Sequence, residues 1–401
     1  MPRGAGCSYG DAAILDEGRL LLLDLPPGSD SYSGDSHSIV VSSAQTLRGL
    51  LSALAREGLT LPVVPGVLDA TVGGVLAADA HGKNHRLRGS FRDVTHSLLL
   101  LLPTGEIIEC DRDQNADLFA ATIGGMGLTG MILEAQLEVI PLTAPRADVV
   151  VKKTRDLQSS IDQLRTLGDS HEHVAAWIDP TVSGKSFGRG IVVGGNPVIG
   201  PAPQRHSWNL SSGISFPRGL SGLLRPQVLR WHNQLRYRFT TATGDTQSWK
   251  LEQLLFPLER FPHWKRIYGA DGFHQHQSLI PYSAGIQAID QLITSASSGT
   301  LAPPLVVLKC FRRGGGWLSF PDEGWTLTMD LRADEKSKVL MKRLNEEVAD
   351  LGGRVYLAKD STLTPELLSR MYPDLPRFLE LRQQVDPGQK VASELSRRLG
   401  L

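Results

Sequence analysis

The residues best placed to do chemistry lie in one stretch, from Gly66 to Gly130. Its centre reads Thr71-Val72-Gly73-Gly74, followed by His81-Gly82-Lys83-Asn84-His85, with Ala77, Ala78 and Ala80 between. Glycine has no Cβ and tolerates positive φ, so a backbone built from it can come close to a flat ligand or to another backbone. A second cluster, Gly124-Gly125-Met126-Gly127-Leu128-Thr129-Gly130, closes the stretch. Two such clusters flanking a Leu-rich strand point to a large cofactor held by main-chain groups, or to two tight turns in an ordinary α/β domain. Gly125-x-Gly127-x-x-Gly130 matches the dinucleotide fingerprint, which needs a strand before it and a helix after it. Here a short helix precedes it and an alternating, strand-like run follows, so a Rossmann NAD site is rejected.

Other chemistries are excluded by composition. The chain has 401 residues, with 42 Lys+Arg against 42 Asp+Glu, so no global field recruits nucleic acid. Cys7, Cys110 and Cys310 are far apart and odd in number, which argues against a disulfide framework and a Cys₄ metal site. His171-Glu172-His173 and His274-Gln275-His276 lack the spacing of a helix-borne metal pair, so no metal is expected. The N-terminus does not read as a signal peptide. The aliphatic run Leu98–Leu102 is far short of the roughly 20 residues that span a bilayer. The expectation is a soluble or at most peripheral cytoplasmic protein.

Several elements must position the central stretch. Residues 3–11 are rich in turn formers, Leu20–Leu23 and Ser38–Val41 read as strands, and residues 46–57 read as a helix. Leu47, Leu50, Leu51 and Leu54 recur there at helical spacing, and Gly58 stops the run. Leu98–Leu102 and Glu106–Glu109 form a hairpin across Thr104-Gly105, and Asp117–Thr122 is a short helix. Leu133, Ala135, Leu137 and Val139 then alternate with polar residues as a half-exposed strand. The texture changes near Ala144, with strands at Val149–Val151 and Val174–Ile178 around a helix at Leu157–Leu167. Residues 201–240 hold six arginines and no acidic residue, interleaved with Trp208, Phe216, Leu220, Leu223 and Leu224. That composition reads as a long surface loop, and as a lid or groove that meets a phosphate or an anionic lipid surface. Strands around Gln275–Ile280, Leu305–Phe311 and Thr326–Leu331 suggest a mixed sheet. A helix from Glu335 to Leu351 ends at Gly352-Gly353, and a helical C-terminus finishes the chain.

Taken together, Arg3-Gly4-x-Gly6-x-Ser8-Tyr9-Gly10-Asp11, the Thr71–His85 block, Gly89-Ser90-Phe91 and Thr122–Gly130 resemble the vanillyl-alcohol-oxidase-type FAD-binding fold. Within it they resemble the flavin subunits of decaprenylphosphoryl-β-D-ribose 2′-epimerases, a likeness that continues through Tyr356-x-Ala358-Lys359-Asp360, Val385-Asp386-Pro387 and Arg397-Arg398-Leu399. The resemblance implies an α+β, two-subdomain FAD-binding fold with an inserted α+β substrate domain on a mixed or antiparallel sheet. Residues 1–144 would form the FAD domain, 145–353 the substrate domain, and 354–401 a segment returning to the FAD domain. The flavin would lie between the glycine clusters with its pyrophosphate on main-chain amides. Cofactor contacts are implied for Arg3, Gly4, Gly6, Ser8, Tyr9, Gly66, Thr71, Val72, Gly73, Gly74, Ala78, His81, Gly82, Asn84, Gly124, Gly125, Gly127, Gly130, Ile132 and Lys359. Substrate contacts are implied for Trp177, Gln277, Lys309, Thr326 and Thr328, and a catalytic role for His81, Tyr356 and Lys359.

The implied reaction removes a hydroxyl proton and the C2′ hydride from a polyprenylphosphoryl-ribose, and a separate short-chain keto-reductase completes the epimerisation. A soluble sugar, alditol or aldonolactone is the alternative substrate, and a cofactor-free remnant the alternative of another class. His81 and Lys359 are the base candidates, because a base must reach the hydroxyl with a pKa near the working pH. Three departures from the family pattern carry expectations. A strand–helix–strand unit precedes the position of Arg3 in the family, so either the start lies upstream or the FAD domain is N-terminally incomplete, and a truncated product is expected to bind FAD poorly. Cys7 stands where relatives carry the flavin-linking histidine or an arginine, so FAD is expected to be non-covalent. Thr326 and Thr328 replace Asn and Cys, and Leu255 replaces Tyr, changes that bear on the identity of the sugar or lipid.

Overall fold

The computed structural model describes residues 1–24, 32–34, 37–201, 205–208, 224–242, 245–259, 261, 263–299 and 301–401. Its first sheet contains β1 (Tyr32–Gly34), β2 (Ser38–Ser42), β3 (Thr95–Leu101), β4 (Ile107–Asp111) and β5 (Met131–Glu138), ordered β1-β2-β5-β3-β4 and antiparallel throughout. The expected alternation in β5 holds at Ala135, Leu137 and Val139 but changes face at Leu133. The register against β3 slips between Leu99 and Leu100, leaving Leu133 as the extra residue of a bulge, so Ile132 points inward instead. The residues expected to form a strand at Leu20–Leu23 make only a single bridge, Leu21 with Pro2. Leu21 N donates to Met1 O and Leu21 O accepts from Arg3 N, but among the described residues no strand extends this pairing, and Leu20, Leu21 and Leu22 are exposed.

Two short helices pack on this sheet. Helix α1 (Leu47–Arg56) starts at Thr46, whose hydroxyl accepts from Gly49 N at 3.2 Å, and buries Leu47, Leu50, Leu51 and Leu54. Helix α2 (Val72–Ala77) starts at Thr71, whose hydroxyl accepts from Gly74 N at 3.2 Å. Helix α3 (Ala116–Thr122) precedes the second glycine cluster.

The second sheet contains β6 (Arg146–Thr154), β7 (His173–Ile178), β8 (Gly190–Pro197), β9 (Gln247–Lys250), β10 (Phe273–Ile280), β11 (Val306–Phe311), β12 (Gly324–Arg332) and β13 (Arg354–Val355). Its order is β9-β6-β8-β7-β11-β12-β10-β13, and every pairing is antiparallel. The mixed sheet suggested for these strands is therefore corrected to an antiparallel one. One face carries α4 (Leu157–Gly168), and further along the chain two longer helices, residues 285–297 and 335–350, of which the sequence pattern predicts the second and not the first.

Strand β12 shows why the two faces differ. Trp325, Leu327, Met329 and Leu331 enter the core under the helices, while Thr326, Thr328 and Asp330 alternate onto the other face. Neighbouring strands place Val307 and Lys309, Gln275 and Gln277, Ala175 and Trp177 on that same polar-bearing face by register.

The loop expected over residues 201–240 is half wrong. Residues 226–239 form a helix, α5 (Pro226–Phe239), with Pro226 at its first position. Phe216, Leu220 and Leu223 lie outside the described residues. The C-terminal segment pairs β13 with β10 and also meets the N-terminal residues. Tyr9 N donates to Ala358 O at 2.9 Å, and Arg398 bridges Asp11 and Asp360. Among the described residues, no helix is long and apolar enough to cross a membrane.

Candidate active site

A cavity of about 1200 Å³ runs between the two sheets, above the usual range of roughly 300–1000 Å³ for small-molecule sites. One end is walled by small residues: Gly4, Gly6, Ser8, Gly66, Gly73, Gly74, Ala78 and Gly127. At Gly66 and Gly127 a Cβ would meet nothing within 4 Å, so any side chain there would project into free space. Gly127 also has φ +76°, which disfavours any other residue.

The structure revises how an anionic cofactor could be held here. The first amides of α2 are already satisfied, Val72 N by Gln45 O and Gly73 N by Ser43 O, both at 2.8 Å. They fasten the helix to the sheet and are not available to a pyrophosphate. The amides of Gly4 through Ser8, by contrast, donate to no group among the described residues, while Arg3 N and Tyr9 N on either side bind Leu21 O and Ala358 O. A run of unpaired amides in a turn with Gly6 at φ +66° is an anion-binding concavity. The donor set, the glycine wall and the volume of the cavity fit FAD.

Most of the residues expected at the site line this cavity: Arg3, Gly4, Gly6, Ser8, Tyr9, Gly66, Thr71, Gly73, Gly74, Ala78, His81, Gly127, Gly130, Ile132, Lys359, Tyr356, Trp177, Gln277, Lys309 and Thr328. Six do not, and each has a packing reason. Val72 is fully buried in the core of the first sheet. Gly82 packs against Val64 O, and Asn84 donates to Pro62 O and Glu172 Oε1. Gly124 and Gly125 press on Ser319 and on Ala121 O with Phe378. Thr326 stands behind the wall, 2.8 Å from Gln277 Nε2.

His81 sits at the centre of a polar knot. Its Nε2 lies 3.1 Å from the Gln277 amide and its Nδ1 3.3 Å from Lys309 Nζ, with Phe311 edge-on at 4.6 Å between centroids. Gln277 Oε1 is buried without a partner when Nε2 faces the imidazole. The reversed amide gives that oxygen the His81 Nε2–H and the Thr326 hydroxyl, and leaves Nδ1 to accept from Lys309. Burial, and then the Lys309 ammonium, hold His81 well below the usual imidazole range. It is neutral at working pH, a hydrogen-bonding strut and a weak base.

Three lysines surround it without an ion pair among the described residues. Lys309 is pushed well below the usual amine range by burial and then by Lys359. Burial lowers Lys359 to about 8, with Asp330 opposing. Its ammonium faces the rings of Tyr9 and Tyr356 at 5.6 and 5.9 Å and makes no hydrogen bond among the described residues. Lys83 is lowered to about 7 by burial alone, and donates to Leu254 O and Leu255 O at 2.6 and 2.8 Å. Burial drives the Tyr356 phenol upward, and its hydroxyl donates to Ala78 O at 2.9 Å, so it is structural at this point of the wall.

Sequence reasoning missed Asp330 and Arg236. Asp330 accepts from Gln275 Nε2 at 2.5 Å and from Tyr268 Oη at 2.6 Å; its place two residues beyond Thr328 in an alternating strand was a usable signal. Arg236 on α5 lines the cavity with its guanidinium 4.3 Å from the Trp177 ring centroid, lowered to about 10 by burial. Nothing in its sequence neighbourhood marks that inward turn.

One line of cross-strand neighbours crosses the cavity floor: Gln277, Thr328, Val307, Trp177 and Ile191. Four strand spacings of about 4.8 Å make this line roughly 19 Å long. It is polar at the His81 end and apolar at the other, where Leu254, Leu255, Leu305 and Val193 also line the wall.

Two parts of the chain match known families. Residues 1–111 match the FAD binding domain family, and residues 285–399 match the D-arabinono-1,4-lactone oxidase family. The chain is 32% identical to the decaprenylphosphoryl-beta-D-ribose oxidase of Mycolicibacterium smegmatis, over 100% of this chain and 89% of that protein. It is 33% identical to an uncharacterised protein of Streptomyces coelicolor, over 89% of this chain and 100% of the other. With the L-gulonolactone oxidase of Bos taurus it shares 21% identity over 96% and 86% of the two chains.

Proposed function

Because the chain belongs to the vanillyl-alcohol-oxidase-type family of FAD-dependent oxidoreductases acting on CH–OH groups, we propose that it oxidises the C2′ hydroxyl of a polyprenylphosphoryl-β-D-ribose to the 2′-keto sugar. The observation that carries the substrate is the cavity floor, which grades from Gln277, Thr328 and Lys309 to Val307, Trp177 and Ile191. A sugar phosphate suits the first end and an isoprenoid chain the second.

FAD, when bound, supplies the hydride acceptor. The chain's own residues orient the carbinol and manage its proton. Lys309, held well below the usual amine range by burial and 3.3 Å from His81 Nδ1, is the amine able, once unprotonated, to take the hydroxyl proton. His81 and Gln277 hold it in place. Lys359, still mainly protonated at neutral pH with its pKa near 8, stabilises the negative charge that develops as the C–H and O–H bonds break. The five unpaired amides from Gly4 to Ser8 would hold the cofactor's phosphates, without a covalent bond from Cys7. The keto sugar formed is a substrate for reduction by a separate short-chain keto-reductase.

The match of residues 285–399 to the lactone oxidase family supports a second reading, oxidation of a soluble sugar, alditol or aldonolactone. The test is the absorbance of the purified protein before and after adding farnesylphosphoryl-ribose. Bleaching by that compound and not by lactones or alditols is the expected result. Bleaching by the soluble compounds alone supports the second reading, and protein without flavin absorbance overturns both.

A further inference from the structure

Helix α5 is mounted inside out. A surface helix normally turns its apolar stripe to the body of the protein, but the body-facing side of α5 is largely polar. Asn233 Nδ2 donates to the buried Asp179 at 2.9 Å, Gln234 accepts from Arg189 at 2.7 Å, and Tyr237 Oη donates to Thr154 O at 3.2 Å. Arg236 stacks on Trp177, and Leu229 is the apolar residue buried on that side. Val228, Trp231, Leu235 and Phe239 follow at helical spacing along the opposite side, with Val228 and Leu235 half-buried. Trp231 is 65% exposed and Phe239 73%. Arg225, Arg230 and Arg238 are exposed beside this stripe and make no ion pair among the described residues. No acidic residue occurs anywhere from 201 to 240.

We infer that the outer face of α5 docks on an anionic lipid bilayer. An outward apolar stripe with two exposed aromatic anchors, flanked by arginines and free of acids, is what an interfacial helix presents to charged headgroups. A second copy of the chain would bring a like-charged face against it, whereas anionic lipid supplies the missing counter-charge. The inner side of the same helix carries Arg236 into the apolar end of the cavity. Docking therefore sets that end beside the bilayer, where an isoprenoid chain would pass. This placement rests on the lipid-linked substrate of the proposed function, but the docking itself does not need it.

The experiment is co-sedimentation of the full-length holoprotein with phosphatidylcholine vesicles containing phosphatidylglycerol, and with phosphatidylcholine vesicles alone. Binding is expected to the anionic vesicles only and to weaken with salt. R230Q and R238Q should each weaken it on the order of fivefold. W231S with F239S should abolish it, while bleaching by the soluble farnesylphosphoryl-ribose stays unchanged, which also shows that the double variant is folded. Equal binding by wild type and double variant, or no binding by wild type, overturns the inference. So does a dimer in sedimentation velocity that W231S and F239S dissociate. Vesicle binding without any bleaching sinks the proposed substrate and leaves the docking surface standing; bleaching without vesicle binding does the reverse.

Discussion

Replacing Lys359 by methionine should stabilise the cofactor-free protein while destroying its chemistry. Burial lowers this amine from 10.5 to about 8. A gap of that size corresponds to roughly 3 kcal/mol of preference for the unfolded state at neutral pH. Loss of the contacts with the Tyr9 and Tyr356 rings returns up to about 1 kcal/mol, leaving a net gain of about 2–3 kcal/mol for K359M. The sign follows from linkage: the folded pKa lies below the unfolded one, so the protonated amine is disfavoured in the fold. That destabilisation is complete below about pH 8 and disappears as pH rises from 8 towards 10.5. Urea denaturation of both apoproteins at pH 7 and pH 9.5 measures the difference between them, in which all other titrations cancel. It should fall from about 2–3 to roughly 1 kcal/mol or less. The holoprotein variant should keep its yellow colour and fail to bleach with substrate. Equal urea midpoints at both pH values would show that Lys359 is not a desolvated cation, and the assignment of its charge would go with it.

Four further outcomes follow from the same geometry. D330N removes the carboxylate that opposes burial at Lys359, so the alkaline limb of kcat, read from a pH profile, should move towards acid by up to about one unit. K359R keeps its charge far above pH 10, so it should flatten that limb if charge is what the residue supplies, and should be inactive across the whole range if its proton is needed. G66V, at a position where a Cβ meets open cavity, should lose FAD in an absorbance titration while its thermal midpoint in the apo form stays within about 2 °C. Cys7, its thiol raised by burial, should form no flavin bond, so acid precipitation should leave a colourless pellet and a yellow supernatant.

Much of the architecture was legible because it rests on local periodicity. Leu47, Leu50, Leu51 and Leu54 are all buried on α1, and the hairpin turns at Gly105 with φ +95°. What failed depended on partners distant in sequence. Leu20–Leu23 has strand-like composition, but a strand exists only where another backbone pairs with it. The inward face of β5 changed at Leu133 because the register slip is set by β3, some thirty residues earlier. Helix α5 reads as loop because its polar residues are those that face the body, which inverts the pattern that sequence reading looks for. At the site, alternation alone could place Thr326, Thr328 and Asp330 on one face. It could not show that Thr326 stands behind Gln277, or that Val72 and Gly73 had already given their amides to the sheet.

The cavity wall around His81 makes sense only with negative charge supplied from outside the chain. Buried amines in proteins are ordinarily paired, because an uncompensated charge in a low-dielectric interior is costly. Here Lys83, Lys309 and Lys359 stand without ion pairs among the described residues. The carboxylate that acts on Lys359 is Asp330, and it is itself held by Gln275 and Tyr268. The chain therefore keeps Lys359, mainly protonated at neutral pH, and two further basic amines in the cavity wall, together with the unpaired amides from Gly4 to Ser8. Such a wall does not need to reorganise when an anion enters or when charge develops on a reacting oxygen. An oxidation that drew on neutral groups alone would gain nothing from this arrangement, and the fold would be more stable with the lysines replaced by apolar residues. That cost is the physical sign that the site is built for an anionic cofactor and an oxygen that becomes negative as its hydrogen leaves.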